Sequence, residues 1–480
     1  MKDALRAMRH RLATIFEEQP RDAQGSTIAA LDGVRACAIL MVIVFHINWI
    51  DGNYQKLWDW RSNPLASSLA IAGGTGVTLF FVLSGFLLFL PYAKALLFAG
   101  RWPRARTFYL RRALRIMPGY YLSLLLLILL SAPSYLQAAN LPATGLFLTL
   151  FMDSSPQTFR ALNGPYWTLA TEWQFYLLLP LLALALLLLV RRVPLERRLR
   201  ALIFALPGLM VCGLCVRWLG AYHQGHPGAT FLLPRRALNV LLFFTYGQTG
   251  KYTEDFAVGM LAAVLYTCAQ RQPAFAQQLR RASLWLWGAG ILILVFSAIW
   301  HFQANGPTPA WPLLDPLLPY YFWLSEWLLA LGYALCILAI LYGPSQLRGP
   351  FTWQPVRWIG LISYSLYIWH LPLLALLQSR ILPLLGSGHP PAYSMQFYLA
   401  YALYWLWVPL VLFPFCTLVY IFVEKPGIRL GARWRQAIEE RAASGVRARE
   451  QGLAHSPAEE STRVSAQENG GHYASIPRNR

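Results

Sequence analysis

An all-α bundle of about ten transmembrane helices is the fold class this sequence predicts, and three observations predict it. Hydrophobic residues make up 56% of the 480-residue chain and charged residues only 13%, against about 25% charged in an ordinary globular protein. Mean hydropathy is +0.41. Apolar runs long enough to cross about 30 Å of hydrocarbon recur along the chain. No water reaches the backbone at that depth, so each run must satisfy its own N–H and C=O groups as a helix.

In chain order, spans are expected at about 34–50, 73–97, 116–133, 167–190, 201–220, 252–269, 283–303, 319–343, 358–383 and 397–423. The first thirty residues are mixed and charged. They hold no apolar stretch that ends in a small-residue cleavage site, so the first span is expected to stay in the protein. Residues 1–30 thus read as a cytoplasmic N-terminal segment and 31–430 as one membrane domain. Two long connections, Ala132 to Tyr166 and Ala221 to Lys251, hold Pro, Gly, Asn and aromatic residues with few charges, and are expected to form a lid on the outer face. From Gly431 the apolar pattern stops. Residues 431–480 read as a cytoplasmic tail with a short interfacial helix over Arg433–Ala443 and disorder beyond it.

The formal charge of +20 does not indicate nucleic acid, because its location follows the spans. With Lys94 counted to the loop after it, one set of alternate hydrophilic segments carries 32 Lys and Arg and the other set 6. Positive residues are retained on the cytoplasmic side, so both termini are expected there, in a cell inner or plasma membrane. Six cysteines add little. Cys212 and Cys215 form a C-x-x-C inside the fifth span without flanking polar partners or a second pair, and read as small apolar helix residues. No metal site and no permanently bound cofactor are expected.

A charge in the hydrocarbon costs roughly 2.5–3.5 kcal/mol, so the few intramembrane ionisable residues carry the functional signal. They are Arg35, His46, Glu172, Arg217, Glu326, His370 and Arg380, with Glu254, Asp255 and Glu424 at span ends. Arg217 and Arg380 lie near helix ends and are expected to snorkel. His223 and His226 fall in a loop and read as solvated surface. Arg35 and His46 stand eleven residues apart, which returns a helix to within about 20° of the same face and separates them by roughly 16 Å. That spacing suits an extended ligand with an anionic end at the cytoplasmic mouth and a reactive end deep in the membrane. Glu172 lies at a depth like that of His46. A carboxylate beside an imidazole fixes its tautomer and raises its basicity, so Glu172 is expected to orient His46 as a general base. Arg112 and Arg115 are i,i+3 on one helix face, a geometry able to clamp phosphate at the same mouth as Arg35.

Six motifs, in order from Leu31 to about Leu430, resemble those of the membrane-bound acyltransferase 3 family. Leu31-Asp32-Gly33-Val34-Arg35 with His46 resembles its R-x10-H signature, Gly76 to Phe86 its second-span signature, and Arg112-Ala113-Leu114-Arg115 its R-x-x-R. Trp167-Thr168-Leu169 with Glu172-Trp173-Gln174-Phe175-Tyr176 matches the fourth-span block. Ile362 to His370 and Phe422-Val423-Glu424-Lys425-Pro426 match the ninth and tenth. The resemblance implies a ten-helix O-acyltransferase that takes acyl-CoA, acetyl-CoA by default, from the cytosol. It would deliver the acyl group to a hydroxyl of a carbohydrate or other acceptor at or across the membrane lipid. It also implies Arg35, Arg112 and Arg115 as the donor's phosphate site and His46 as catalytic, acting as a base or as a transient acyl-imidazole. Ser84, Trp167, Glu326, Tyr364 and His370 are expected to line the tunnel or the acceptor site, with His370 equally able to hold two helices together. Thr78 stands where many members carry Asp, so no acidic role transfers to it. Many members also continue into an eleventh helix and an extracytoplasmic domain; this chain reads as the stand-alone type.

Two rivals compete. A secondary transporter or flippase of a lipid-linked or small polar substrate would leave the arginine cluster unexplained. A membrane glycosyltransferase would want outer-loop carboxylates, and only Glu254–Asp255 offers a pair; beginning a helix is the simpler task for them.

Overall fold

The computed structural model describes residues 29–53, 63–230, 233–306, 310–384, 386 and 390–454. They are almost entirely helical, as the apolar runs require, and no strand occurs among them. The expected segments 1–28 and 455–480 lie outside the described residues. By internal contacts the chain divides into Met1–Gly427 and Ile428–Arg480, and the site lies wholly within the first.

The helices are α1 (Ala29–Trp49), α2 (Pro64–Ile71), α3 (Gly76–Phe98), α4 (Ala105–Ser131), α5 (Leu141–Thr149), α6 (Tyr166–Val190), α7 (Leu195–Gly225), α8 (Arg235–Thr245) and α9 (Thr253–Ala269). They continue with α10 (Pro273–Asn305), α11 (Leu318–Tyr342), α12 (Ser345–Thr352), α13 (Gln354–Leu361), α14 (Ser363–Leu376), α15 (Met395–Trp407), α16 (Phe413–Val419) and α17 (Lys425–Ala454). Among the described residues eight helical segments are long and apolar enough to cross a membrane, and the pair α13–α14 makes a ninth that is bent by 71° at Ile362. The expected sixth span is α9, only 17 residues long and so about 25 Å. It is buried almost all round rather than facing lipid. The expected tail helix over Arg433–Ala443 lies within α17, which runs on to Ala454.

α3 and α9 form the centre. They cross backbone to backbone because each offers a glycine. A Cβ on Gly85 would stand 2.2 Å from the Phe256 carbonyl oxygen, and one on Gly259 would stand 2.2 Å from that of Val82. Such close approach through small residues is how membrane helices gain packing where lipid is as apolar as leucine. α1 is seated against α13 in the same way, with Gly360 directly over the Asp32 carbonyl. Around this core α7, α10 and α15 turn Phe204, Trp285, Leu292 and Leu406 outward, an apolar girdle consistent with lipid contact.

Four departures from helical regularity occur among the described residues. α14 begins afresh at Ser363, after the bend. Its continuation through Leu377–Ile381 and the segments Val408–Leu412 and Tyr420–Glu424 are π-helical turns. Such turns rotate the side chains that follow, and the last turns Glu424 inward onto Ser365 Oγ, which donates to it. The two long connections are also folded. The first contains α5, and the second contains the end of α7, with His223, and α8.

Candidate active site

The three arginines singled out by spacing converge. Arg35 of α1 and Arg112 and Arg115 of α4 line one cavity of about 770 Å³, counted with the open space at its mouth, between α1, α3, α4, α6 and α14. Asp32 aims Arg35, with Oδ1 at 3.8 Å from its guanidinium, and Oδ2 lies 3.5 Å from Arg357. The Nε atoms of Arg112 and Arg357 are buried without a hydrogen-bond partner among the described residues. Arg112 lines the cavity, and a guanidinium with an unpaired donor there is suited to an anionic ligand. Arg112 also lies 5.9 Å above the ring of Tyr176.

Further along the same cavity stand Ser84, Glu172, Thr168, Tyr364 and Tyr367. Ser84 Oγ donates to Glu172, and Tyr364 donates to the Ile116 carbonyl oxygen at 2.6 Å. Tyr367 closes the far end. Its hydroxyl is 2.6 Å from Thr168 Oγ1, and its ring packs 5.8 Å from Phe80 and 5.9 Å from His370. Behind it the imidazoles of His46 and His370 meet, Nδ1 to Nε2, at 3.2 Å.

Geometry assigns the protons of that pair. His370 Nδ1 is 3.0 Å from the Leu366 carbonyl oxygen and His46 Nδ1 is 2.8 Å from that of Val42. A carbonyl only accepts, so both Nδ1 atoms carry hydrogen in the neutral rings. His370 Nε2 is then the acceptor that faces His46 Nδ1–H, and His46 Nε2 keeps its lone pair. The expected partnership of Glu172 with His46 is therefore corrected: His370 holds the imidazole, and Glu172 is engaged by Ser84.

The remaining expected site residues separate. Ser84 and Tyr364 line the cavity, and Trp167 flanks it through its neighbour Thr168. Glu326 belongs elsewhere, accepting from Thr78 Oγ1 at 2.7 Å. Arg217 does not snorkel. It is buried with its guanidinium 2.5 Å from Glu254 and 4.4 Å from the Tyr252 ring centroid, so Glu254 serves as a counter-ion as well as beginning α9. Arg380 is exposed, as a snorkelling residue would be, while His223 is buried in α7 rather than solvated.

The family model described as an acyltransferase domain matches residues 28–424. The chain belongs to the acyltransferase 3 family. Its relatives agree. Over 73% of the chain it is 25% identical to the peptidoglycan O-acetyltransferase OatA of Listeria monocytogenes, covering 50% of that protein. Over 73% it is 24% identical to YrhL of Bacillus subtilis, provisionally named for the same activity, covering 49% of it. A Staphylococcus aureus (strain COL) protein provisionally named an O-acetyltransferase is 23% identical over 85% of the chain and is covered over 59%. The chain thus spans about half the length of the first two. No solved structure matches it. Beside the expected residues the structure adds Tyr176 and Tyr367 on the cavity and Asp32 and Arg357 next to Arg35. Asp32 was signalled by its i,i+3 spacing to Arg35 and Tyr367 by its place in the motif ending at His370. Arg357 carried no signal, because its tie to α1 crosses between helices.

Proposed function

We propose that the chain is an acyl-CoA-dependent O-acyltransferase that moves an acetyl group to a carbohydrate hydroxyl at the membrane. The convergence of Arg35, Arg112 and Arg115 on one cavity carries this reading. Three cations on one cavity, with the Nε of Arg112 unpaired among the described residues, match the phosphates of coenzyme A, and the cavity leads from them toward His46 past Ser84 and Glu172. The relatives' names supply the acetyl group and the carbohydrate acceptor.

In this reading the pantetheine arm runs from the arginines toward Tyr367 and the acceptor approaches His46. His46 Nε2 takes the proton of the acceptor hydroxyl as its oxygen attacks the thioester carbonyl, forming the C–O bond. The C–S bond then breaks and the departing CoA thiolate receives that proton from His46. His370 Nε2 accepts from His46 Nδ1–H throughout and stabilises the imidazolium formed midway. Tyr367 stands between cavity and imidazoles, so its ring must shift for the thioester to reach His46. The split of 32 against 6 basic residues supports both termini in the cytoplasm, which gives the arginine mouth access to cytosolic acyl-CoA. An inner or plasma membrane follows from the same orientation.

Purified protein in detergent, given acetyl-CoA and a panel of carbohydrates, is expected to release CoA only when an acceptor is present. A transporter would release none under any condition.

A further inference from the structure

The loop Phe151–Pro165, ahead of α6, is built as firmly as a helix. Asp153, Ser154, Thr158 and Asn163 are buried in it. Lys251 Nζ lies 2.5 Å from Asp153 Oδ2 and 2.9 Å from Ser154 Oγ. Asn163 Nδ2 donates to the Ile368 carbonyl oxygen at 2.8 Å, tying the loop to the helix that carries His370.

This frame presents Arg160 with φ +59°, a left-handed conformation that a residue with a Cβ adopts only when its surroundings impose it. The guanidinium carbon is 4.9 Å from the Phe159 ring centroid and 5.7 Å from that of Trp167, with the rings 5.9 Å apart. Among the described residues no carboxylate pairs with it. Nearby, Asn163 Oδ1 is buried without a hydrogen-bond partner. The position is close to the chemistry. Trp167 adjoins Thr168, whose hydroxyl is 2.6 Å from that of Tyr367, and the Tyr367 ring packs at a tilt of 54° against His370. Arg160 also interacts electrostatically with His46 and Tyr367. Arg35 lies toward the other end of α1 from His46, so Arg160 is a cation separate from the donor mouth.

We propose that Arg160, Phe159 and Trp167 form an acceptor subsite for an anionic carbohydrate, whose carboxylate or phosphate pairs with Arg160 while a sugar ring lies against the aromatic faces. A guanidinium with no carboxylate partner among the described residues is suited to either anion, and the hydrogen-bonded loop holds it on the side of the bundle that carries Trp167 and Thr168. The inference rests on the acyl-transfer reading and adds the acceptor's charge to it.

The test uses full-length protein in detergent with acetyl-CoA and three acceptors: a uronic-acid oligosaccharide, the same oligosaccharide with its carboxyls reduced to alcohols, and a phosphorylated analogue. Wild type is compared with Arg160→Gln and Arg160→Lys, and acetyl-CoA binding by each variant confirms that it folds. Arg160→Gln is expected to raise KM about tenfold or more for the anionic acceptors and less than about twofold for the reduced one, with acetyl-CoA binding unchanged. Arg160→Lys is expected to recover part of the loss. The anionic acceptor more sensitive to Arg160→Gln identifies the group recognised. Turnover that changes equally for all three acceptors, or for none, overturns the subsite and leaves acyl transfer standing. If wild type binds acetyl-CoA but releases no CoA with any acceptor, the acyl-transfer reading and the subsite fall together.

Discussion

His370 Nε2 lies 3.2 Å from His46 Nδ1, and the carbonyl oxygens of Leu366 and Val42 fix which nitrogen of each ring is protonated. Two imidazoles 324 positions apart in the chain thus form one unit whose free lone pair is His46 Nε2. His370→Ala removes the acceptor that steadies His46 and its imidazolium. It is expected to lower kcat by about 10- to 100-fold, in the range of a lost charge-assisted hydrogen bond, with acetyl-CoA affinity unchanged. His370→Gln offers an amide oxygen to Nδ1–H and is expected to recover part of the rate. Steady-state kinetics beside equilibrium binding decide it; a His370→Ala enzyme with wild-type kcat refutes the pairing.

Asp32 bridges Arg35 and Arg357 and so, in the proposed reading, sets where the donor's phosphates would be met. Asp32→Asn keeps the shape and removes the charge. It is expected to weaken acetyl-CoA binding about three- to tenfold, while kcat at saturating donor stays within about twofold. Titration calorimetry of the two proteins checks this, and unchanged affinity excludes the bridging role.

The α3–α9 crossing leaves no room for a side chain. Gly259→Val would drive a branched chain into the Val82 carbonyl, which already lies 2.2 Å from where a Cβ would stand. It is expected to lower the thermal midpoint and the yield of folded protein sharply, as overpacking typically costs about 1–3 kcal/mol or more. Gly145→Ala, at a position with nothing within 4 Å, is the neutral comparison. Equal midpoints for the two variants would contradict the crossing.

Lys251 and Asp153 pin the loop that carries Arg160. Burial pulls the Lys251 ammonium below its ordinary pKa and the neighbouring Asp153 carboxylate opposes that shift. Lys251→Met strands a buried carboxylate and is expected to cost about 3–5 kcal/mol. The double variant Lys251→Met with Asp153→Leu is expected to regain most of the lost midpoint. A double variant as unstable as the single one would show that the pair does not act as a unit.

What was legible in the sequence was local. Arg35 and His46 share a helix, so the 3.6-residue period placed them on one stripe, and Arg112 and Arg115 were matched in the same way. Apolar runs located the spans, including the short α9. Pairings across helices were not legible. Glu254 lies 37 positions from Arg217 and Ser84 lies 88 from Glu172, so local spacing gave Arg217 to solvent and Glu172 to His46. The 71° bend at Ile362 was hidden because Ile362 to His370 is apolar enough to read as a straight helix. His223 was read as loop because the fifth apolar run was taken to stop near residue 220, while α7 continues to Gly225.

Acetyl-CoA binding and CoA release, measured side by side on wild type, Arg112→Ala and His46→Ala, test the central claim most directly. The separate donor mouth and reactive imidazole predict that Arg112→Ala loses about tenfold or more in affinity. They predict that His46→Ala binds like wild type and releases no CoA. A His46→Ala enzyme that turns over at the wild-type rate, or an Arg112→Ala enzyme that binds undiminished, contradicts it.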